Sequence, residues 1–317
     1  MGNYKVKSAI LFVTFNKVEE TKLVFETIRI VQPPRIYLAS DGARKKKINE
    51  VNIVESIRDY LLKSVDWECE VKTLFSEFNQ GCGRGVSNAI SWFFENEEMG
   101  IILEDDCLPC ENFFRYCDEL LIKYKDDERI SVISGTNELE KYRADKSDEY
   151  FFTRFTYIWG WASYRRVWKD YDFTLSFLPK LKEKMSYDEL LYPLKKHQIA
   201  KRKRMFEKIH KSKEKRNAWS FQFLCLNLMN KQFCVIPKAN LISNIGFGEN
   251  ATNTRELNAS TSKIPYGELL FPLKEPSPFE ENLNFAIDYY DDRMPKKTVF
   301  QRIYKELSRF FRKLKRK

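Results

Sequence analysis

The chain is 317 residues long, with 43% hydrophobic and 15% aromatic residues and 55 Lys and Arg against 45 Asp and Glu. That composition excludes a disordered polymer and, at roughly 100 to 200 residues per domain, fits about two domains or one large α/β unit with an extension. The formal charge of +10 is concentrated: residues 195–216 carry +9 and residues 296–317 another +9, which leaves −8 on the other 273 residues, so attraction to polyanions is local.

In chain order, the apolar run Ala9 to Val13 reads as a buried strand, and Leu23, Val24, Thr27, Ile28 and Val31 mark a helix over Glu19 to Val31. Pro33-Pro34 stops that helix. A second strand follows over Arg35 to Ala39, ending at Ser40-Asp41-Gly42, then a helix over Ile48 to Lys63 and a strand over Glu70 to Phe75. Ser87 to Phe94 reads as a third helix and Gly100 to Leu103 as a fourth strand. This alternation predicts a mostly parallel sheet flanked by helices, with ligands beyond the carboxyl ends of the strands. From about Ser131 the pattern loosens into aromatic segments, with helices expected over Tyr187 to His210 and Ser220 to Asn230. The prolines at 265, 272, 276 and 278 suit an irregular arm over 256–295. The final 22 residues, 296–317, space apolar residues three and four apart between lysines and arginines, a basic amphipathic helix suited to anionic headgroups, to docking on a partner protein or to plain solvation.

The seven cysteines, with no secretory leader expected, suit a reduced cytoplasmic setting, and Cys107-x-x-Cys110 lacks the second ligand pair of a zinc site. No apolar run approaches the ~20 residues of a spanning helix.

The sharpest chemical feature is Glu104-Asp105-Asp106 at the end of an apolar run. Three carboxylates at a strand's open end suit a hard divalent cation, Mn²⁺ or Mg²⁺, whose shell is completed by phosphates, although a solvated acidic turn has the same composition. Strand alternation would put Glu104 and Asp106 on one face and Asp105 on the other. Gly81-Cys82-Gly83-Arg84-Gly85 lacks the third glycine of a dinucleotide fingerprint and suits a turn bringing Arg84 or backbone N–H groups near a diphosphate. The first strand carries no phosphate loop. His197 and His210 read as exposed helix residues, and Trp159-Gly160-Trp161 as either core or a platform for a sugar ring.

Thr14-Phe15-Asn16-Lys17, Ala39-Ser40-Asp41, Ile102-Leu103-Glu104-Asp105-Asp106, Phe113-Phe114-Arg115-Tyr116, Ile133 to Asn137 and Trp159-Gly160-Trp161 occur in that order. Together they resemble the GT-A glycosyltransferases similar to the Golgi N-acetylglucosaminyltransferase that begins complex N-glycan branching, and their shorter bacterial relatives. The resemblance covers roughly residues 8 to 255. It implies a Rossmann-like GT-A domain over 1–255, with a nucleotide-sugar half (1–129) and an acceptor half (130–255). The implied activity is metal-dependent, inverting transfer from a nucleotide-diphosphate sugar, most often a UDP-sugar, to a glycan or lipid-linked acceptor.

By that resemblance Asp106 is the metal ligand and Asp105 a ribose contact, with Glu104 near the ribose or transferred sugar. Asp41 holds the base, and Thr14, Asn16 and Lys17 lie by the nucleotide, where the glycine-rich turn would also bring Arg84. Trp159, Trp161 and Trp219 form an acceptor or sugar platform. Ser220 stands where the family has its catalytic carboxylate, and a serine hydroxyl cannot by itself accept a proton at neutral pH, so Glu249 becomes the substitute base. Residues 195–216 would form a helical lid or acceptor-side face, and the tail would hold the enzyme on the inner face of the cytoplasmic membrane. A nucleic-acid-binding protein using the two basic segments, or a nucleotidyltransferase on a similar sheet, are the competing readings, and the first would ignore Asp106.

Overall fold

A computed structural model describes residues 4–139, 142, 148–212, 218–246 and 264–294. The tail at 296–317, Glu249 and the end of the 195–216 segment lie outside the described residues.

The first half follows the expected alternation: β1 (Ala9–Thr14), α1 (Val18–Val31), β2 (Arg35–Ser40), α2 (Glu50–Ser64), β3 (Glu70–Phe75), α3 (Gly81–Asn96) and β4 (Met99–Glu104). Every residue of β1 is buried, because helices cover both faces of a parallel strand. Next come β5 (Cys107–Pro109) and α4 (Glu111–Lys123), whose Phe113, Phe114, Cys117, Leu120 and Leu121 all turn inward. The second half holds β6 (Ile130–Ser134), β7 (Tyr150–Thr153), β8 (Trp161–Tyr164), α5 (Arg165–Trp168), α6 (Leu178–Lys184), α7 (Tyr187–Leu190), α8 (Lys196–Lys211), α9 (Ser220–Met229), β9 (Phe233–Pro237), β10 (Ile242–Asn244) and α10 (Leu283–Arg293).

Eight strands form one sheet in the order β3-β2-β1-β4-β8-β6-β9-β7, and β10 pairs with β5 in a separate two-stranded sheet. β8 and β7 run against the others. The chain crosses from β1 outward through β2 to β3, then returns to place β4 on the other side of β1. The topological switch point of this Rossmann-like sheet therefore lies between the carboxyl ends of β1 and β4.

Three expectations change. The helix expected over Tyr187 to His210 is two, since Pro193 breaks it and α8 restarts at Lys196. The segment 256–295 ends in α10, and its earlier part straps the outer side of β7. There Glu149 N–H donates to the Lys274 carbonyl (3.2 Å), Asn282 N–H donates to the Phe152 carbonyl (2.8 Å), and Glu281 pairs with Arg154. Phe279 lies 4.0 Å from Phe152, ring centre to ring centre, and Phe285, Ala286 and Tyr290 enter the core, so packing continues past residue 255 to Met294. His197 and His210 are half-buried: Nε2 of His197 meets the Met294 carbonyl and Nδ1 of His210 the Leu175 carbonyl, each at 2.9 Å.

Candidate functional site

A cavity of about 680 Å³ opens over the switch point. Its size falls in the range of small-molecule sites. The end of β1, the β4–β5 turn, Asp41 after β2, the first turn of α3, Trp159 and the first turn of α9 all line it.

At its floor the main chain leaves β1 through Phe15, whose N–H donates to Oδ2 of Asp105 at 3.0 Å. Two residues on, the Lys17 ammonium contacts Oδ2 of Asp106 at 2.5 Å and Oδ1 of Asp105 at 3.4 Å. Both contacts straddle the switch point, joining β1 to β4. The sequence expectation of opposite faces is therefore corrected. β4 ends at Glu104, so strand alternation stops there, and Asp105 and Asp106 form a turn that turns both carboxylates toward one cation.

Three carboxylates and one ammonium in a half-closed pocket leave excess negative charge. Burial, then the charges of Asp106 and Asp105, push the Glu104 carboxyl up to about 8. Burial also raises Asp105, against the opposing pull of Lys17. Burial works against the Lys17 ammonium, but the two aspartates outweigh it and hold the group protonated. Because folded Glu104 keeps a proton that the unfolded chain releases near 4.5, the folded state binds more protons between those values. Metal-free protein should accordingly lose stability as pH rises from about 5 to 8, with Glu104 contributing at most about 1.4 kcal/mol per pH unit and the raised Asp105 adding to the slope in the lower part of that range. Urea unfolding at several pH values checks this, and Glu104→Gln should flatten the slope.

The residues present fit a divalent cation in one respect: Asp106 and Asp105 already converge on a positive charge, with the Lys17 ammonium standing in that place. Among the described residues no three His, Cys, Asp or Glu side chains form a metal-binding group, so most of an ion's shell would come from ligand oxygens. The turn is pressed from the other side by Gly246. Ile245 N–H donates to the Asp106 carbonyl at 2.8 Å, and a Cβ on Gly246 would lie 2.2 Å from Oδ2 of Asp106.

Asp41 lines the cavity but is engaged. Its carboxylate accepts from the N–H groups of Gly42 (2.9 Å), Gln80 (2.8 Å) and Gly81 (2.9 Å) and from Nδ2 of Asn79 (3.0 Å). It thereby caps α3, which begins at Gly81, six residues before the expected Ser87; Gly81 has φ +77°, a conformation that favours glycine. The glycine-rich run is thus the first turn of a helix whose amino end faces the cavity, not a loop.

Arg84 does not join it. Its exposed guanidinium stacks 4.9 Å from the Phe173 ring centre, outside the cavity wall. Thr14 and Asn16 line the cavity, with Thr14 Oγ1 donating to the Ala39 carbonyl at 3.3 Å and Asn16 Nδ2 to Glu50 at 2.9 Å. Of the tryptophans, Trp159 and Trp219 reach the cavity. Trp161 is 1% exposed and stacks on Trp219 with ring centres 5.7 Å apart, so it is core rather than platform. Ser220 is the first residue of α9 and lines the cavity with Ala218 and Phe221. No described residue of 195–212 lines the cavity, so α8 is not a lid over it.

Sequence reasoning missed Arg44 and Asn244, and it placed Gly246 near the site only as part of the glycine-rich segment around Glu249. Arg44 lines the cavity 5.3 Å from the Phe15 ring centre and pairs with buried Glu50. The only signal for it was a basic run, Arg44 to Lys47, that reads as a solvated turn.

No family model and no curated protein matches the sequence. Among solved structures the chain is similar to a Pyrobaculum calidifontis mannosyltransferase in complex with GDP-Man and Mn²⁺, at 12% identity and TM-score 0.35, over 52% of this chain and 46% of that one. It thus spans a little under half of that enzyme's length. It is also similar to HddC from Yersinia pseudotuberculosis at 14% identity and TM-score 0.33, covering 55% of this chain and 86% of that one. A third similar structure is a UDP-glucose pyrophosphorylase complexed with UDP-glucose, at 9% identity and TM-score 0.35, covering 73% of this chain and 90% of that one.

Proposed function

We propose that the chain is a nucleotide-sugar-dependent enzyme, and specifically a metal-dependent, inverting glycosyltransferase acting from a UDP-sugar. The observation that carries this reading is the meeting of Lys17 with Asp105 and Asp106 across the switch point, beside a cavity lined by the first turn of α9 and by the first turn of α3, whose end N–H groups Asp41 takes. Helix amino ends and a lysine favour phosphates, while the carboxylates favour the cation that accompanies them.

Asp106 would hold Mn²⁺ or Mg²⁺, which supplies neutralisation of the charge on a departing nucleoside diphosphate. Lys17 would take a phosphate oxygen, and Asp105 would contact the ribose. The acceptor hydroxyl attacks the anomeric carbon, the bond from that carbon to the diphosphate oxygen breaks, and the hydroxyl proton leaves for a base. Ser220 orients the acceptor, and Glu249, three residues along the chain from Gly246, takes the proton. Trp159 and Trp219 give the sugar an apolar wall. The acceptor is a glycan or lipid-linked sugar, and the basic segment 296–317 holds the enzyme at an anionic membrane surface.

Thermal shifts with UDP-, GDP- and CDP-sugars, each with and without Mn²⁺, test the reading. A stabilisation by a UDP-sugar that depends on Mn²⁺ is expected, and no shift with any donor would overturn it. Nucleotidyl transfer on the same sheet would release pyrophosphate from a nucleoside triphosphate and is separated by that assay.

A further inference from the structure

With a diphosphate at Lys17, the cavity runs two ways. One end, at Trp159, Trp219 and Ser220, goes to the sugar and its acceptor, which leaves the other, over the carboxyl end of β2, for the base. Asp41 stands there, but its carboxylate is full. Oδ1 accepts from the N–H groups of Gly42 and Gln80, and Oδ2 from Gly81 N–H and Asn79 Nδ2, two donors to each oxygen. A carboxylate has about four acceptor positions, so a base N–H could reach Asp41 only by evicting a protein donor. The carboxamides nearby are engaged as well. Asn79 Nδ2 also donates to the Gly42 carbonyl at 2.8 Å, Gln80 Nε2 to the Ser76 hydroxyl at 2.8 Å, and Asn88 Nδ2 to the Gln80 side-chain oxygen at 2.6 Å.

Arg44 is placed differently. Among the described residues that line the cavity, the cations are Lys17 and Arg44, and Lys17 is held by the aspartates at the floor. Arg44 Nε donates to both oxygens of Glu50 at 3.0 and 2.9 Å, Nη2 donates to Oε1, and the Arg44 main-chain N–H donates to Oε2 at 2.8 Å. Glu50 is buried and also accepts from Asn16 Nδ2 at 2.9 Å, so it is a fixed brace. The guanidinium lies 5.3 Å from the ring centre of Phe15, another lining residue, with the side chain 46% exposed and Nη1 outside all of these bonds. A guanidinium held along one edge by a buried acid and across its face by a ring has one edge left, and that edge can only donate.

Resting on the nucleotide-sugar reading above, we infer that Arg44, and not Asp41, reads the base of the donor, by donating to the exocyclic carbonyl that tells uracil from cytosine. Uracil and guanine carry a carbonyl where cytosine and adenine carry an amino group. An amino group there sets donor against donor and leaves a guanidinium N–H unpaired, a mismatch that discriminates strongly.

Isothermal titration of the full chain with UDP and with CDP, each with Mn²⁺, tests this. The two share ribose and phosphates, so their affinity ratio reports the base alone. UDP should bind the unaltered protein more tightly than CDP by about tenfold or more. Arg44→Gln should bring the two to within about threefold of each other by weakening UDP, and so should Arg44→Lys, which keeps a cation against Glu50 but loses the planar fork and holds the inference open to refutation should Arg44→Gln fail to fold. A phosphate contact at Arg44 would instead weaken both nucleotides alike and leave the ratio standing, which overturns the inference, as does a ratio near one in the unaltered protein. A ratio lost in Asp41→Asn but kept in both Arg44 variants would return the base to Asp41. GDP bound in place of UDP would sustain the inference only if ADP is rejected and the Arg44 variants admit it. Failure of every nucleotide to bind removes the nucleotide-sugar reading and the role of Arg44 with it, whereas nucleotide binding with an unmoved ratio removes the role of Arg44 alone.

Discussion

Asp106→Ala should lower sugar transfer by on the order of 10²–10³-fold and abolish the Mn²⁺-dependent part of UDP-sugar stabilisation. The side chain offers its Oδ2 to the Lys17 ammonium and sits in a turn rather than in the core, so its loss removes charge without opening a cavity. The main-chain bond from Ile245 to the Asp106 carbonyl survives the change, and the turn should keep its path. Lys17 then has Asp105 alone, at 3.4 Å, which holds the ammonium but leaves too little negative charge for a divalent ion. Transfer measured under single-turnover conditions, together with manganese binding followed by electron paramagnetic resonance, checks both halves. A variant that still binds manganese and transfers sugar at the wild-type rate would remove Asp106 from the centre of the site.

Gly246→Ala should damage the same centre by a steric route. An added Cβ would stand 2.2 Å from Oδ2, 2.6 Å from Cβ and 2.8 Å from Cγ of Asp106. Rotating the side chain can relieve the Oδ2 and Cγ contacts but not the one at 2.6 Å, because Cβ of Asp106 is fixed by its own backbone. The backbones cannot part easily either, since β10 pairs with β5 from Ile242–Pro109 to Asn244–Cys107. Overpacking of this kind costs about 1–3 kcal/mol. On the proposed reading, shifting the carboxylate that would hold the metal should also cost about 10- to 100-fold in activity. Thermal unfolding and transfer assays on one preparation distinguish this from simple destabilisation. Activity unchanged below the unfolding temperature would show that the close approach of Gly246 is structural only.

The first four strands were legible because each is an apolar run ended by a turn and followed by a helix of clear period. β7 and β8 were not: Tyr150 to Thr153 and Trp161 to Tyr164 are four residues each, and aromatic clusters have no period at that length. Position at the switch point made the acidic triplet legible, but its geometry was not. Alternation holds only while a strand continues, and β4 ends at Glu104. Asp41 shows a different limit. An aspartate after a strand suits a ligand or a helix cap equally well, and only the fold, by bringing the α3 amino end to it, shows that four protein donors already occupy it. Trp161 and Trp219 are both buried in one aromatic cluster, and only their places in the fold let Trp219, at 3% exposed, touch the cavity while Trp161 does not.

The strap formed by residues 264–282 has a consequence for how copies of this protein meet. Its main-chain bonds use the N–H of Glu149, just before β7, and the Phe152 carbonyl within it. At the far margin β3 presents Glu70 and Lys72, charges that discourage an incoming strand. With one border stitched by its own chain and the other an open strand carrying an acid and a lysine, the described sheet disfavours intermolecular strand addition at both margins and leaves helical and loop surfaces as the better places for copies to meet.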